Sequence, residues 1–346
     1  MAKANPIGLG ILGLGRAGWG MHCRELEGKE RMFRIVAGCD ILPDRCERLA
    51  GKYGCRTYRK LSDLLADPNV EMVSVATRSC DHYAHTVAAL KAGKHVFLEK
   101  PMCRTWQEAK RLKAAAAKAK GKLYVRHNRR SEPTFTHVRQ IIASGILGEV
   151  FQIKMMRGGY SRRDDWQTLK RFGGGQLLNW GPHVIDHALR LLDGKVRRIE
   201  GHLARVAAVG DAEDHLKILL TGRSGCLVDL EISGGAALGA AEYLVWGTKG
   251  SLECSGKTIR LKYLSPRAKL KPRKARPGPP GQTFGTPEKL PWIEKEIPVR
   301  PKTKPFNIWD ELYKAVRKGA KFPIELDEAI QVMEVISKVK KGTPFA

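Results

Sequence analysis

The 346-residue chain has no apolar run approaching the roughly 18 residues that a membrane-spanning helix needs. Paired cysteines are also missing. The eight present, Cys23, Cys39, Cys46, Cys55, Cys80, Cys103, Cys226 and Cys254, never form a C-x-x-C, and most lie in or beside apolar segments. That spacing argues against a zinc knuckle or a disulfide framework and predicts buried, reduced thiols. The opening Met1-Ala2-Lys3-Ala4-Asn5-Pro6 lacks the basic region, apolar stretch and cleavage site of a secretory signal, so a cytoplasmic protein is expected. No internal repeat is evident. Acid is scarce: 35 Asp and Glu stand against 62 Lys and Arg, for a net charge of +27. Such a surplus suits nucleic acid, an anionic surface or a basic proteome. Between Lys257 and Arg276 there are nine Lys or Arg, no acid and one aromatic, Tyr263. Base stacking is poorly served there, so neither a specific nucleic-acid partner nor a membrane is expected.

What is present is a globular composition, 42% hydrophobic and 28% charged, at a length that suggests two domains. In the first 127 residues short apolar runs alternate with helical patterns. Ile7 to Leu14, Arg34 to Cys39, Val70 to Ala76, His95 to Leu98 and Leu123 to Arg126 read as strands. Helices are expected from about Gly18, over Asp44–Tyr53 and Ala84–Ala92, and from Thr105 to near Gly121. Continuous apolar strands separated by helices imply a parallel sheet covered on both faces, hence a doubly wound α/β domain over 1–127.

From 128 to 346 the pattern changes. A helix over Thr134–Ser144 is followed by strands near Val150–Met156, Arg197–Val206, His215–Leu220, Cys226–Ser233 and Glu242–Val245. Successive strands with few helices predict an α+β domain with a large, mostly antiparallel sheet. One sheet face would be covered by helices. The other would be left for a partner subunit, so a homodimer or homotetramer is expected. Nine of the 18 prolines fall between Pro266 and Pro301, so 257–305 reads as a basic, solvated excursion and not as a packed element. Phe306–Gly319 and Asp327–Val339 read as helices returning to the body of this second domain.

The first strand runs into Gly13-Leu14-Gly15-Arg16-Ala17-Gly18, and Asp40 ends the second strand 22 residues after Gly18. A bare G-x-G-x-x-G is weak evidence, but its place between strand and helix is right for a dinucleotide. Gly13 allows the tight turn, Gly15 lets a pyrophosphate approach the backbone, and Gly18 lets helix and strand pack closely. Asp40 can accept both ribose hydroxyls and would repel a 2′-phosphate, favouring NAD over NADP, with Arg45 close enough to offset it partly. Lys100, within Leu98-Glu99-Lys100-Pro101, sits at the carboxyl edge of the sheet, where ligands bind in such folds. It is either a surface lysine or a positive charge set beside a nicotinamide. In Gly173–Asp186, a continuous helix from Leu177 would bring Asn179, His183 and Asp186 onto one face. His183 is then either a satisfied core group or a general acid/base, whereas His187 fits the core better. The trio lacks a third strong ligand, and no metal site is expected. Arg157, Tyr160, Arg163, Asp165 and Trp166 precede the glycine turn and are candidate sugar or acid contacts, with core packing equally open for Trp166.

These segments resemble the Gfo/Idh/MocA oxidoreductases, a family that includes glucose–fructose oxidoreductase and inositol dehydrogenase. The resemblance rests on Gly13–Gly18, Ala92-Gly-Lys-His-Val-Phe-Leu-Glu-Lys-Pro101, Asn128-Arg-Arg130 with Pro133, and Gly173-Gly-Gly175 through His183 and Asp186. It implies a catalytic Lys100, a Lys100–Pro101 bond that can be cis, and His183 as proton acceptor from a substrate hydroxyl. Asn179 stands where many relatives have Asp, and it can position a hydroxyl but not take a proton at neutral pH. Arg78 replaces a proline after the fourth strand, while His82 matches the histidine of that loop. The expected cofactor contacts are Gly13, Gly15, Arg16, Ala17, Gly18 and Asp40, joined by Thr77, His82, Glu99 and Lys100. The expected substrate contacts are Arg163, Trp166, Asn179 and His183. The activity implied is NAD-dependent dehydrogenation of a sugar, polyol or inositol. One alternative is glycoside cleavage through transient oxidation with no net redox. Another is a nicotinamide-binding sensor without turnover.

Overall fold

A computed structural model of the chain describes residues 5–192, 196–275, 277–279 and 288–346. Residues 1–4 of the opening segment, and 276 and 280–287 of the Pro-rich stretch, fall outside the described residues. The first lobe holds β1 (Ile7–Leu12), β2 (Phe33–Cys39), β3 (Arg56–Tyr58), β4 (Met72–Val75), β5 (His95–Glu99) and β6 (Leu123–Arg126). Its helices are α1 (Pro43–Tyr53), α2 (Leu61–Ala66), α3 (His82–Lys91) and α4 (Trp106–Lys118). All five strand pairings are parallel, in the order β3-β2-β1-β4-β5-β6. This is a doubly wound sheet whose order reverses between β1 and β4, and its ligand crevice opens at that reversal. Every residue of β1 is buried, as a strand covered on both faces requires. Local signals set the helix ends. Thr105 and Glu108 close a capping box at the start of α4, and Gly54, at φ 59°, ends α1.

The second lobe contains α5 (Pro133–Ala143), β7 (Val150–Gly158), α6 (Gln176–Asn179), α7 (Gly181–Leu191), β8 (Val196–Ala204), β9 (His215–Gly222) and β10 (Leu227–Ser233). It continues with β11 (Tyr243–Gly247), β12 (Gly250–Ser255), β13 (Thr258–Leu264), β14 (Trp292–Pro298), α8 (Ile308–Arg317) and α9 (Leu326–Lys340). Eight strands pair in the order β14-β13-β12-β11-β7-β10-β9-β8, and β7 with β10 is the parallel pair among them. Alternation along the strands sorts the faces. Leu216, Ile218, Leu220, Val228, Leu230 and Ile232 point inward, while Lys217 pairs with Asp229 and Glu231 on the outer face. On the inner side Gly201 of β8 is needed for fit, because a Cβ there would lie 2.6 Å from Val339 of α9.

Two expectations need correction. The basic stretch 257–305 is not a solvated excursion throughout. Ile259, Leu261 and Tyr263 of β13 are buried, and β14 pairs with β13 along its full length. Helix α8 does not return to the second lobe. Ile308, Trp309 and Leu312 share a core with Ile7, Leu9, Ile11 and Phe33, covering one face of the first sheet. Trp309 packs edge-on against Phe33 and Phe97, with ring centroids 5.4 and 4.8 Å apart.

Candidate active site

A cleft of about 930 Å³ lies between the lobes. Its floor is the turn after β1. Gly13 holds φ 88°, and a Cβ on it would meet the Ala76 carbonyl oxygen at 2.7 Å. A Cβ on Gly18 would lie 1.9 Å from the Gly13 carbonyl oxygen, so the helical turn Gly18–Cys23 can sit this close to the strand only with glycine there. Among the described residues, no hydrogen bond engages the N–H groups of Gly15, Arg16 or Ala17. Asp40 closes one end of the cleft. Its carboxylate accepts the N–H of Leu14 at 2.7 Å and of Leu42 at 3.0 Å, and Arg45 Nη1 lies 3.3 Å away.

At the other end the two lobes converge. Lys100, joined to Pro101 by a cis peptide bond, donates its ammonium to the Asn179 carbonyl at 3.0 Å. Burial lowers the Lys100 pKa to about 8. Glu99 opposes the shift, and Arg129, Arg126 and Arg16 add to it. His183 is buried on the same cleft wall, and its Nδ1 has no hydrogen-bond partner among the described residues. Burial, reinforced by Lys100, His127 and Arg129, holds its pKa well below 6.5, so the imidazole is neutral. The side-chain oxygen of Asn179 accepts from Gln167 at 3.3 Å. Gln167 in turn accepts from Arg163 at 2.6 Å, and Arg163 bonds Asp165 at 2.7 Å. Trp166 lines the cleft beside them.

The polar chain beneath Lys100 runs through the first lobe. Glu99 accepts from Arg126 at 2.8 Å and contacts His22 at 2.8 Å, and the other His22 nitrogen meets Ser74 at 2.7 Å. Burial works against the Glu99 charge, but Arg126, His22 and Lys100 outweigh it and hold the carboxyl far below the carboxylate range. Arg126 reaches on to Glu25 at 2.6 Å, and Trp309 Nε1 donates to Glu25 at 2.7 Å. His82 has both ring nitrogens at carbonyls, Pro101 at 2.6 Å and Thr77 at 3.1 Å, and so ties the loop after β4 to the Lys100 turn. Thr77 lines the cleft, its hydroxyl 3.1 Å from His85.

Three sequence expectations are overturned here. The helix carrying Asn179 and His183 is not continuous, because α6 stops and α7 restarts around Trp180. Asp186 therefore does not join the other two in the cleft. It is a buried partner of Arg130, at 2.9 and 2.5 Å, and Arg130 also pairs with Glu328. Arg157 and Tyr160 do not line the cleft. Arg157 packs over one side of the Trp180 ring, Arg129 over another, each at 4.1 Å, and Tyr160 is 61% exposed. His187 is a satisfied core histidine, stacked on Phe135 and bonded to Tyr243 and Arg129. All eight cysteines are free thiols. The sequence reading missed His22, Arg126, Gln167 and Arg129 as site-supporting groups. His22 had a signal: a polar residue one helical turn after Gly18 on a face that must pack on the sheet.

The residues present fit a dinucleotide. A glycine turn with free N–H groups, a carboxylate at one end and an unpartnered imidazole at the other lie along one cleft of suitable size. Fold and cleft define a two-lobed dinucleotide-binding protein. Residues 7–127 match a family described as "Oxidoreductase family, NAD-binding Rossmann fold", and 135–253 match the "GFO/IDH/MocA C-terminal domain". The oxidoreductase YdgJ of Escherichia coli (strain K12) is 30% identical over 284 residues, 79% of each chain. The chain belongs to the Gfo/Idh/MocA oxidoreductase family, and its first lobe is an NAD-binding Rossmann domain. It is also 33% identical to the scyllo-inositol 2-dehydrogenase (NADP(+)) IolW of Bacillus subtilis (strain 168) over 192 residues, 55% of this chain. The matched segment spans about half of that relative, 52% of its length. In fold it resembles the WlbA dehydrogenase from Bordetella pertussis, solved with NADH and UDP-GlcNAcA. There the TM-score is 0.77 at 20% identity, covering 98% of both chains. No helix among the described residues is long and apolar enough to cross a membrane.

Proposed function

We propose that the protein is a cytoplasmic NAD-dependent dehydrogenase that oxidises a hydroxyl carbon of a sugar, polyol or inositol. The observation that carries this reading is the convergence of the Lys100 ammonium and the neutral His183 imidazole, from different lobes, on one cleft that also holds the glycine turn and Asp40. The N–H groups of Gly15, Arg16 and Ala17 would hold the pyrophosphate, and Asp40 the adenosine ribose. Arg45 softens the Asp40 preference without reversing it, so NAD is favoured over NADP. When bound, the nicotinamide supplies the hydride acceptor. His183 takes the hydroxyl proton from the substrate, Lys100 stabilises the alkoxide as it develops, and Asn179 orients a neighbouring hydroxyl. Arg163 and Trp166 would contact the rest of the substrate. The outer face of the second sheet is the surface we assign to a homodimer or homotetramer.

The test combines native mass spectrometry for bound dinucleotide with a panel of inositols, hexoses and glycosides. Stoichiometric reduced nicotinamide is expected. Cleaved glycoside without reduced nicotinamide would replace this reading with the redox-neutral one, and loss of neither activity in Lys100→Ala and His183→Ala would replace it with a sensor.

A further inference from the structure

We propose that the substrate is an anionic polyhydroxy compound, a sugar or polyol bearing a carboxylate. This rests on the dehydrogenase reading and deepens it. The observation is a charge imbalance at the Lys100 end of the cleft. Lys100, Arg16, Arg126, Arg129 and Arg163 line it. Its acids there are already committed. Glu99 is taken by Arg126 and His22, and Asp165 by Arg163. Glu132, the partner of Arg129, lies behind it on the far side of Trp180. The remaining cleft acids, Asp40 and Asp81, belong to the adenosine end and to the outer wall beside His85. Lys100 and Arg16 thus have no ion pair among the described residues, yet Arg16 lies within electrostatic reach of Lys100, Arg129 and Asp165.

Asn179 sharpens the imbalance. It holds Lys100 through a neutral carbonyl and offers an amide, so the residue nearest the ammonium contributes no negative charge. An oxidised nicotinamide ring adds a further positive charge at the same place. A neutral polyol leaves these cations facing one another in a partly desolvated cleft, whereas a carboxylate on the substrate neutralises them and accepts their N–H groups. The planar guanidinium forks of Arg129 and Arg163 suit a carboxylate in particular.

Matched probes test this: glucuronate against glucose, with glucose 6-phosphate as a third arm. Each is read as nicotinamide reduction, and as the change in NADH fluorescence when it binds the protein–NADH complex. Glucuronate is expected to exceed glucose in kcat/KM by about 10- to 100-fold, the range of a charge-assisted bond. The advantage should shrink as salt is raised. Asn179→Asp should reduce the ratio by about tenfold or more, and Arg163→Gln should raise the KM for glucuronate more than that for glucose. A preference for glucose 6-phosphate places the anion on phosphate and still supports charge recognition. Equal or better use of glucose, with salt-independent kinetics, overturns the proposal. If nothing is turned over, the dehydrogenase reading falls on these probes, and the NADH complex still decides. Binding of glucuronate but not glucose supports an anion site, and binding of glucose alone or of neither refutes it.

Discussion

Lys100 carries opposed demands. Its ammonium suits alkoxide stabilisation, but burial and the surrounding arginines depress its pKa from 10.5 to about 8. Because the folded value lies below the unfolded one, the ammonium penalises folding below about pH 8, and the penalty fades as pH rises toward 10.5. Lys100→Met is therefore expected to raise thermal stability at pH 7 by about 1–2 kcal/mol while reducing kcat by about 10²–10⁴-fold, read by melting curves and steady-state kinetics. In the parent protein kcat/KM should fall as pH rises through about 8, when Lys100 loses its proton. No acid limb from His183 should appear near pH 6.5, because its pKa lies well below that value. A pH profile whose alkaline limb is unmoved by Lys100→Arg would assign the limb to another group. The identity of these two residues was legible in the sequence through the Glu-Lys-Pro string and the Gly-rich segment. Their electrostatic state was not, since it depends on Arg126, Arg129 and His127, distant in sequence from one or both of them.

Among the elements, the glycine turn and the break at Trp180 do most to shape the site. Gly18→Ala would drive a methyl into the Gly13 carbonyl, so the helical turn must move off the sheet. NADH affinity, measured by fluorescence titration, should fall at least tenfold with the second lobe still folded. The Trp180 break sends Asn179 and His183 to the cleft and Asp186 to Arg130. Arg130→Met leaves Asp186 buried without its partner and should destabilise the fold by roughly 3–5 kcal/mol in chemical denaturation. The sequence spacing pointed to a single helical face because period 3.6 assumes an unbroken helix. Trp180, held between two arginines from other elements, ends α6, and nothing local announces those arginines.

On the scale of the whole molecule, the C-terminal segment binds the lobes together. Helix α8 covers the first sheet while α9 packs on β8 of the second. Trp309 is fully buried, and its indole N–H reaches the Glu25–Arg126–Glu99 chain under Lys100. Trp309→Ala is expected to cost about 3–5 kcal/mol and to weaken cofactor binding as well, whereas Trp309→Phe should recover most of the stability but not the Glu25 bond. Thermal melting followed by NADH titration separates the two effects.

The sequence by itself determined the parallel first sheet, the phosphate-binding turn, the acid at its far end, and the lysine and histidine of the cleft. Each is written in local patterning or in a backbone position that few residue types tolerate. Tertiary structure alone decided that β13 and β14 extend the second sheet, that α8 serves the first lobe, and that Asp186 leaves the cleft. It also decided that the acids beside Lys100 are already paired. Those outcomes depend on which charged and apolar groups meet across long sequence separations, and a strand rich in lysine looks solvated until its alternate residues find a core.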